Sequence, residues 1–414
     1  MATRNNNNSG VPQLTPAQLR RIIALENAYT AEVKANPMIW LPNKDIVTLD
    51  QSAAPEFGFS SFVRHSDLGD IDFSELSVDE LETFAKRSRR SAKGGGKSKG
   101  KGGSSGGGQQ GAPSAAVAAQ VVGSYFKGMQ PAANTGNLIL GEQNALFGSK
   151  QKAITYRDAW RYIVEPHHIM FWSEVSAEFL QEIGQAYGHG YWCSKANTRD
   201  QAVGITAHPR LKKIAGPFSY DKVASVQGIP DLRPAFVVIF EDLWSGVIIK
   251  AVVNHLKSMR GGPKLTSPVR YQQCVEIVKA HGVSTSGVKP AVKNQQTRNI
   301  WRNKVFGRGF TDHGTTTVTM PLCILPEAER KLDLQERIKR GITVMAGDWN
   351  CLLGQVNDVD PLIQAGYLLI DPTGNVPTHS MGSRLDGFFA EKENFEACDA
   401  DVADGPDEVD GDQQ

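Results

Sequence analysis

Residues 341–350, GITVMAGDWN, constrain the chain more than any other stretch. An apolar run with β-branched members (Ile342, Thr343, Val344, Met345) stops at Ala346-Gly347. An acid and an amide follow two residues apart, Asp348 and Asn350. Such a run reads as a short buried strand with the glycine at its exit. Alternate residues of a strand point the same way, so Asp348 and Asn350 face one point just beyond its end. Two readings fit the pair. It closes the strand with a turn, or it holds a carboxylate and an amide on rigid backbone, where they orient water and grip a phosphate oxygen.

The same pattern recurs upstream and downstream. Residues 137–145 form an apolar run ending in Gln143-Asn144, and 168–175 form one ending at Glu174-Val175. Residues 201–208, 235–241, 247–254, 367–370 and 383–390 also read as strands, with a Trp244-Ser245-Gly246 turn joining 235–241 to 247–254. Between them, 153–164, 177–187, 269–280 and 361–365 carry apolar residues at helical spacing. Alternating strands and helices predict an α/β domain over 114–390. The stretch 281–335 is poorly periodic and reads as an insertion.

The two ends of the chain differ from this core. Residues 1–12 are polar and Asn-rich, and 13–90 read as a small helical region carrying no legible chemistry. Its first helix follows Thr15-Pro16, and a second, short one opens at the capping box Ser77-Val78-Asp79-Glu80. Residues 86–113 are rich in Gly and Ser and carry Lys86, Arg87, Arg89, Arg90, Lys93, Lys97, Lys99 and Lys101 with no acid. That composition cannot bury a core and reads as a flexible linker. Its uncompensated charge suits a tether to a phosphate backbone, and its bland reading is a solvated spacer. Residues 391–414 hold ten acids against one lysine and read as a disordered tail. The net charge of +1 therefore hides strong segregation.

Five scattered cysteines without a CxxC pair indicate neither a zinc knuckle nor a disulfide framework. A reducing, intracellular location (cytoplasmic or nuclear) is expected. No signal-peptide core shows at the N-terminus, and no apolar run approaches the ~20 residues of a membrane span, so no membrane partner is expected. No feature of the chain specifies an oligomeric state.

Asn144, Glu174, Asn254, His255, Asp348, Asn350 and Asp386 all lie at or near the ends of apolar runs. Polar groups there are costly unless they meet one another, water or a ligand. Each has a bland reading alone: Glu174 as a favourable charge before a helix, His255 as a satisfied histidine, Asp386 as a partner of Arg384 or Lys392. Together they would make a hard-oxygen metal site with a phosphate grip. Their order, QNA, FWSEV, VVNHLKSMRGG, MAGDWN and SRLDGFF, resembles the endonuclease/exonuclease/phosphatase superfamily of DNase I-like enzymes over roughly residues 136–390. The NHLKS segment is most similar to its bacterial nuclease branch.

The resemblance implies a four-layered α/β sandwich, two mostly antiparallel sheets face to face with helices outside. It implies Mg²⁺, or Mn²⁺ in its place, held by Glu174 with Asn144 helping to position that ligand. His255 would contact the scissile phosphate with help from Asn254 and Lys257. Asp348 would orient or deprotonate the attacking water, Asn350 would hold a phosphate oxygen, and Asp386 would brace a second histidine. The family's closing Ser-Asp-His element is missing after Phe389. Either His379 or His313 substitutes for it, or the enzyme is slow or inactive, or the chain is truncated relative to its ancestor. Loss of the terminal strand would also expose a sheet edge for the insertion or tail to cover. The expected function is metal-dependent hydrolysis of DNA or RNA. The alternatives are a nucleic-acid-binding protein on a degenerate nuclease fold and a phosphoesterase for a small or lipid phosphate.

Overall fold

The computed structural model describes residues 13–35, 115–125, 132, 136–281, 296–300, 314–322, 324–353, 357–370, 378 and 385–391. Two six-stranded sheets organise them. The first runs in the order β3 (Gly190–Cys193), β4 (Ala202–Ala207), β2 (Ile169–Val175), β1 (Asn137–Gly148), β9 (Thr315–Pro321), β8 (Gln296–Ile300). The second runs β11 (Tyr367–Ile370), β12 (Asp386–Glu391), β10 (Ile342–Asp348), β7 (Ile248–His255), β6 (Ala235–Asp242), β5 (Leu211–Tyr220). Each sheet holds one parallel pair, β1 with β2 and β7 with β10, and every other pairing is antiparallel.

Strand alternation explains the layers. Leu138, Leu140, Ile169 and Phe171 from one sheet meet Ile249, Ala251, Val253, Val344, Ala346 and Phe388 from the other in a shared core. The rings of Phe171 and Phe388 meet edge to face across it at 5.7 Å. The intervening residues face outward onto helices. Met170 and Trp172 pack under α2 (Ala115–Tyr125), α3 (Lys150–Thr155), α4 (Arg157–Val164) and α5 (Ala177–Tyr187). Val252, Met345 and Phe389 pack in the other outer core, toward α6 (Asp221–Ala224), α7 (Pro263–His281) and α10 (Asp360–Gln364), with α8 (Glu327–Arg330) and α9 (Leu334–Lys339) preceding β10. A fully buried Leu, Ile or Phe contributes roughly 1.5–3 kcal/mol, so both faces of each sheet must be covered. The result is the four-layered α/β sandwich implied by the resemblance. Among the described residues, no helix is long and apolar enough to cross a membrane.

Several expectations are corrected. The stretch 281–335 is not a mere insertion: β9 inserts between β1 and β8, with Val318 and Met320 in the shared core. Threonines fill four of its other five positions, which hid the hydrophobic period. The helix expected over 153–164 is two helices broken at Tyr156, whose ψ of 28° is not helical. Glu391, expected to begin the tail, ends β12 fully buried opposite Tyr367. Strands β3 and β5 were not anticipated; β5 is an edge strand studded with exposed lysines, a pattern that discourages further pairing. The sheet edge beside β12 is taken by β11. The N-terminal helix α1 (Pro16–Ala35) is no separate module, because Ile22, Leu25 and Ala28 pack against Val226, Ile229, Leu232, Leu265 and Val269 of the sandwich.

Residues 1–12, the helix at Ser77, the linker 86–113 with all its cations, residues 392–414, His313 and His379 lie outside the described residues.

Candidate active site

The site forms where the C-terminal ends of β1, β2, β7 and β10 converge at the mouth of the inter-sheet gap. Asp348 and His255 follow the inward-facing alternation of their strands, which carries apolar residues up to that point, and Asn144 follows that of β1 after Leu138, Leu140 and the buried Glu142. Asp348 ties the two sheets together. Its Oδ2 accepts from Asn144 Nδ2 at 3.1 Å, and its Oδ1 accepts from the Asn350 backbone N–H at 2.8 Å. The Asn144 Oδ1 accepts from Leu146 N–H at 2.8 Å, so the amide's orientation is set. His255 stands beside Asp348 in the β7–β10 register. Its Nε2 lies 3.8 Å from Asp348 Oδ2 and 3.8 Å from Glu174 Oε1. The imidazole is thus poised between two carboxylates.

Backbone strain marks the same place. Glu174 and Asn350 have φ of 55° and 50°. Such left-handed conformations cost a side-chain-bearing residue on the order of 1–2 kcal/mol and cluster at functional sites. At Glu174 the strand pairing skips a residue, which turns the carboxylate into the mouth. Gly347, at φ 143°, lets β10 close against β7: a Cβ there would stand 1.8 Å from the Asn254 carbonyl oxygen. Asn350 Nδ2 donates to Leu256 O at 3.2 Å. One amide hydrogen is used there, leaving the second geometrically available to an acceptor.

Further groups complete the mouth. Gln201 Nε2 donates to Glu174 Oε2 at 3.2 Å, and the Gln201 carbonyl accepts from Arg233 Nη2. Burial pushes the Arg233 pKa down, against the pull of Glu174. Beyond lies a cluster of Arg199, Lys257 and Arg260, closed by Glu26 and Tyr29 of α1. The pocket lining sets Arg199, Arg233, Lys257 and Arg260 against Glu26, Glu174, Asp231 and Asp348. Four cations thus face four acids.

Of the sequence-predicted residues, the structure gathers Asn144, Glu174, His255, Lys257, Asp348 and Asn350 at this mouth. Asn254 is not brought there. It alternates with Val253 and His255 onto the helix-covered side, buried at 1% exposure, and its amide has no partner among the described residues. Asp386 is fully buried beside Asp348 in the β10–β12 register, while its neighbour Leu385 lines the pocket. Its N–H donates to the Thr378 hydroxyl at 3.0 Å, and the Thr378 carbonyl accepts from Gly314 N–H at 2.8 Å. Thr378 and Gly314 precede His379 and follow His313 in the chain.

Gln201, Arg199, Arg233, Arg260, Glu26 and Tyr29 were missed. Gln201 at the head of a strand pattern and Arg260 within VVNHLKSMRGG offered weak signals; the others offered none.

Among the described residues, no group of three or more His, Cys, Asp or Glu side chains forms a ready metal cage. Mg²⁺ does not require one, since it keeps several waters and binds through one or two carboxylates plus substrate oxygens. An exposed edge of Glu174, strained into the mouth beside the Asp348 carboxylate and the Asn144 amide, supplies hard oxygen donors of that kind.

These layers form the four-layered α/β sandwich expected of a DNase I-like fold. The chain is similar to a humanized D. rerio TDP2, at 14% identity over 62% of this chain and 83% of that one, with a TM-score of 0.38. It is also similar to the human Nocturnin catalytic domain (10% identity, 62% and 82% coverage, TM-score 0.39). A third similar structure is an endonuclease/exonuclease/phosphatase from Bacteroides vulgatus (11% identity, 62% and 87% coverage, TM-score 0.37). No family model and no curated protein matches the sequence.

Proposed function

We propose that the chain is a metal-dependent phosphodiesterase that hydrolyses DNA or RNA. One observation carries the reading: a carboxylate held from two sides, Asp348, shares His255 with a second carboxylate, Glu174, on a strained backbone. A structural ion pair needs no such strain.

The roles follow from donors and acceptors. Asp348 has Oδ1 engaged by the Asn350 N–H and Oδ2 turned toward His255. It orients a water for in-line attack and receives its proton. His255 Nε2 donates to a non-bridging phosphate oxygen and stabilises the charge that develops there. The free hydrogen of the Asn350 amide holds a second oxygen. Asn144 keeps the Asp348 carboxylate in one rotamer, and Gln201 does the same for Glu174. Mg²⁺ (or Mn²⁺) held at Glu174, with Asn144 beside it, would supply Lewis-acid neutralisation of the phosphate. Asp386 serves this site through a second histidine, His379 or His313, as a brace for the leaving group's proton. The eight cations of residues 86–101 supply non-specific contact to a nucleic-acid backbone.

The test is nicking of plasmid DNA and cleavage of labelled RNA with Mg²⁺, with EDTA, and in Asp348→Ala and Glu174→Ala. Loss in both variants and in EDTA is expected. Equal turnover in all samples overturns the proposal. His379→Ala and His313→Ala, assayed separately, identify the partner of Asp386. Deleting residues 86–113 should flatten the dependence of nucleic-acid affinity on salt.

A further inference from the structure

Glu26 is the one acid that α1 brings to the pocket, and it is buried at 3% exposure. Lys257 Nζ meets it at 2.7 Å and Arg199 Nη2 at 2.5 Å. One turn along the same helix, the Tyr29 ring lies under Arg260, whose Cζ is 3.3 Å from its centroid, and 4.6 Å from Arg199 Cζ. Burial alone would raise the carboxyl's pKa; Lys257 and Arg199 outweigh it and hold it at about 2. The resulting group is a permanent oxyanion seated on a lysine and a forked arginine. That is the donor set which receives phosphate.

The cations do not belong to α1. Lys257 and Arg260 lie two and five residues after His255, and Arg199 sits in the β3–β4 loop. The backbone of Lys257 is fixed independently by α7: its N–H donates to Gln273 Oε1 at 2.9 Å, and its carbonyl accepts from Arg270 at 3.2 Å. Among the described residues, the other acid lining the pocket beside these cations is Asp231, 3.8 Å from Arg199 Nε. Buried cations gathered beside a hydrolytic mouth need an anion against them, and Glu26 supplies one here. α1 docks on the sandwich through its own small apolar cluster. Its apolar cluster is distinct from the core between the sheets and from both outer cores. Leu25 seats against Gly261, which has φ of 94°; a Cβ there would lie 2.8 Å from Leu25 Cδ1 and push that side chain aside.

We infer that Lys257, Arg199 and Arg260 form a second phosphate subsite beside the scissile position, and that Glu26 occupies it as an intramolecular stand-in. The ligand is a phosphate group adjacent to the scissile one in a polynucleotide or phosphorylated fragment. An entering phosphate displaces Glu26 and loosens α1. The adjacency to a scissile group rests on the proposed phosphodiesterase function; the anion subsite does not.

The test uses the full chain without divalent metal and measures binding of inorganic phosphate by calorimetry. Glu26→Gln should bind phosphate roughly tenfold tighter than the wild type, because the competing carboxylate is gone. Phosphate should also raise its melting temperature more than it raises that of the wild type. Leu25→Ala keeps the carboxylate but loosens its helix, and should show a smaller gain, which covers a failure of Glu26→Gln to fold. Unchanged phosphate affinity in both variants overturns the inference, even if hydrolysis with Mg²⁺ is intact. Tighter binding in the variants upholds the subsite, even if the wild type hydrolyses nothing. A 5′-phosphorylated trinucleotide should gain over its 5′-hydroxyl form in Glu26→Gln; a gain for inorganic phosphate alone overturns the substrate assignment.

Discussion

The two walls of the pocket are built differently. On one wall, His255 and Asp348 sit at the ends of strands whose alternate preceding residues fill the shared core. Their spacing is set by strand pairing, and Asp348 bridges the sheets through Asn144. On the other wall, Glu26 and Tyr29 arrive on a helix held by its own small apolar cluster. The first wall cannot move without unpairing a central strand. The second can loosen at the loss of one cluster. Chemistry that demands fixed geometry sits on the first, and the group argued to yield to substrate sits on the second.

The most severe way to break this contrast is on the strand wall. Asp348→Ala should reduce hydrolysis by about a thousandfold or more, the scale of losing a preorganised catalytic group, while the circular dichroism spectrum is retained. A loss of fold instead would make Asp348 a structural strut between the sheets.

Next in size is Glu26→Gln on the helix wall. It should lower stability by about 3–5 kcal/mol in urea unfolding, since Lys257 and Arg199 then stay buried without their acid. Adding Lys257→Met should recover part of this, with a coupling of about 1 kcal/mol or more in a double-mutant cycle. Additive losses would show that the pair contributes nothing as a pair.

Acidification should separate framework from pocket. Burial, the leading cause in each case, holds the folded pKa of His167 at about 3 and those of His189 and His281 at about 4. Each is depressed below the unfolded value of 6.5, so the unfolded chain binds the extra proton. Their stabilising contribution is complete above 6.5 and declines as pH falls toward 4 and then 3, by about 1.4 kcal/mol per pH unit for each histidine. Against the effect of burial, Lys257 and Arg199 lower Glu26 from its ordinary 4.5 to about 2, so its contribution is complete above 4.5 and fades only between there and 2. Denaturant midpoints measured from pH 7 to 5 should therefore fall equally in wild type and Glu26→Gln. A smaller fall in the variant would contradict this assignment.

The smallest expected effect lies between the walls. Gln201→Leu removes the bridge between Glu174 and Arg233 and should cost about tenfold in activity, mostly in kcat, with little change in stability. No change would mean that the strained backbone alone aims Glu174.

Much of the strand wall was legible because a strand's period of two ties sequence position to direction. The apolar run before Asp348 announced a buried strand, and the glycine announced its exit. The same rule shows why Asn254 was misplaced: next to His255 in sequence, it necessarily faces the other side of the sheet. β9 was not legible because threonines replaced half of its apolar alternation. Arg199 and Arg233 lie in loops, where no periodicity predicts direction.

The sequence by itself determined the α/β sandwich and the order of Asn144, Glu174, His255 and Asp348, since these rest on local patterns of burial and strand exit. Only the tertiary structure decided that α1 closes the pocket. Glu26 and Lys257 are separated by most of the length of the sandwich in sequence, and a buried charge finds its partner by packing in space, which no local period records.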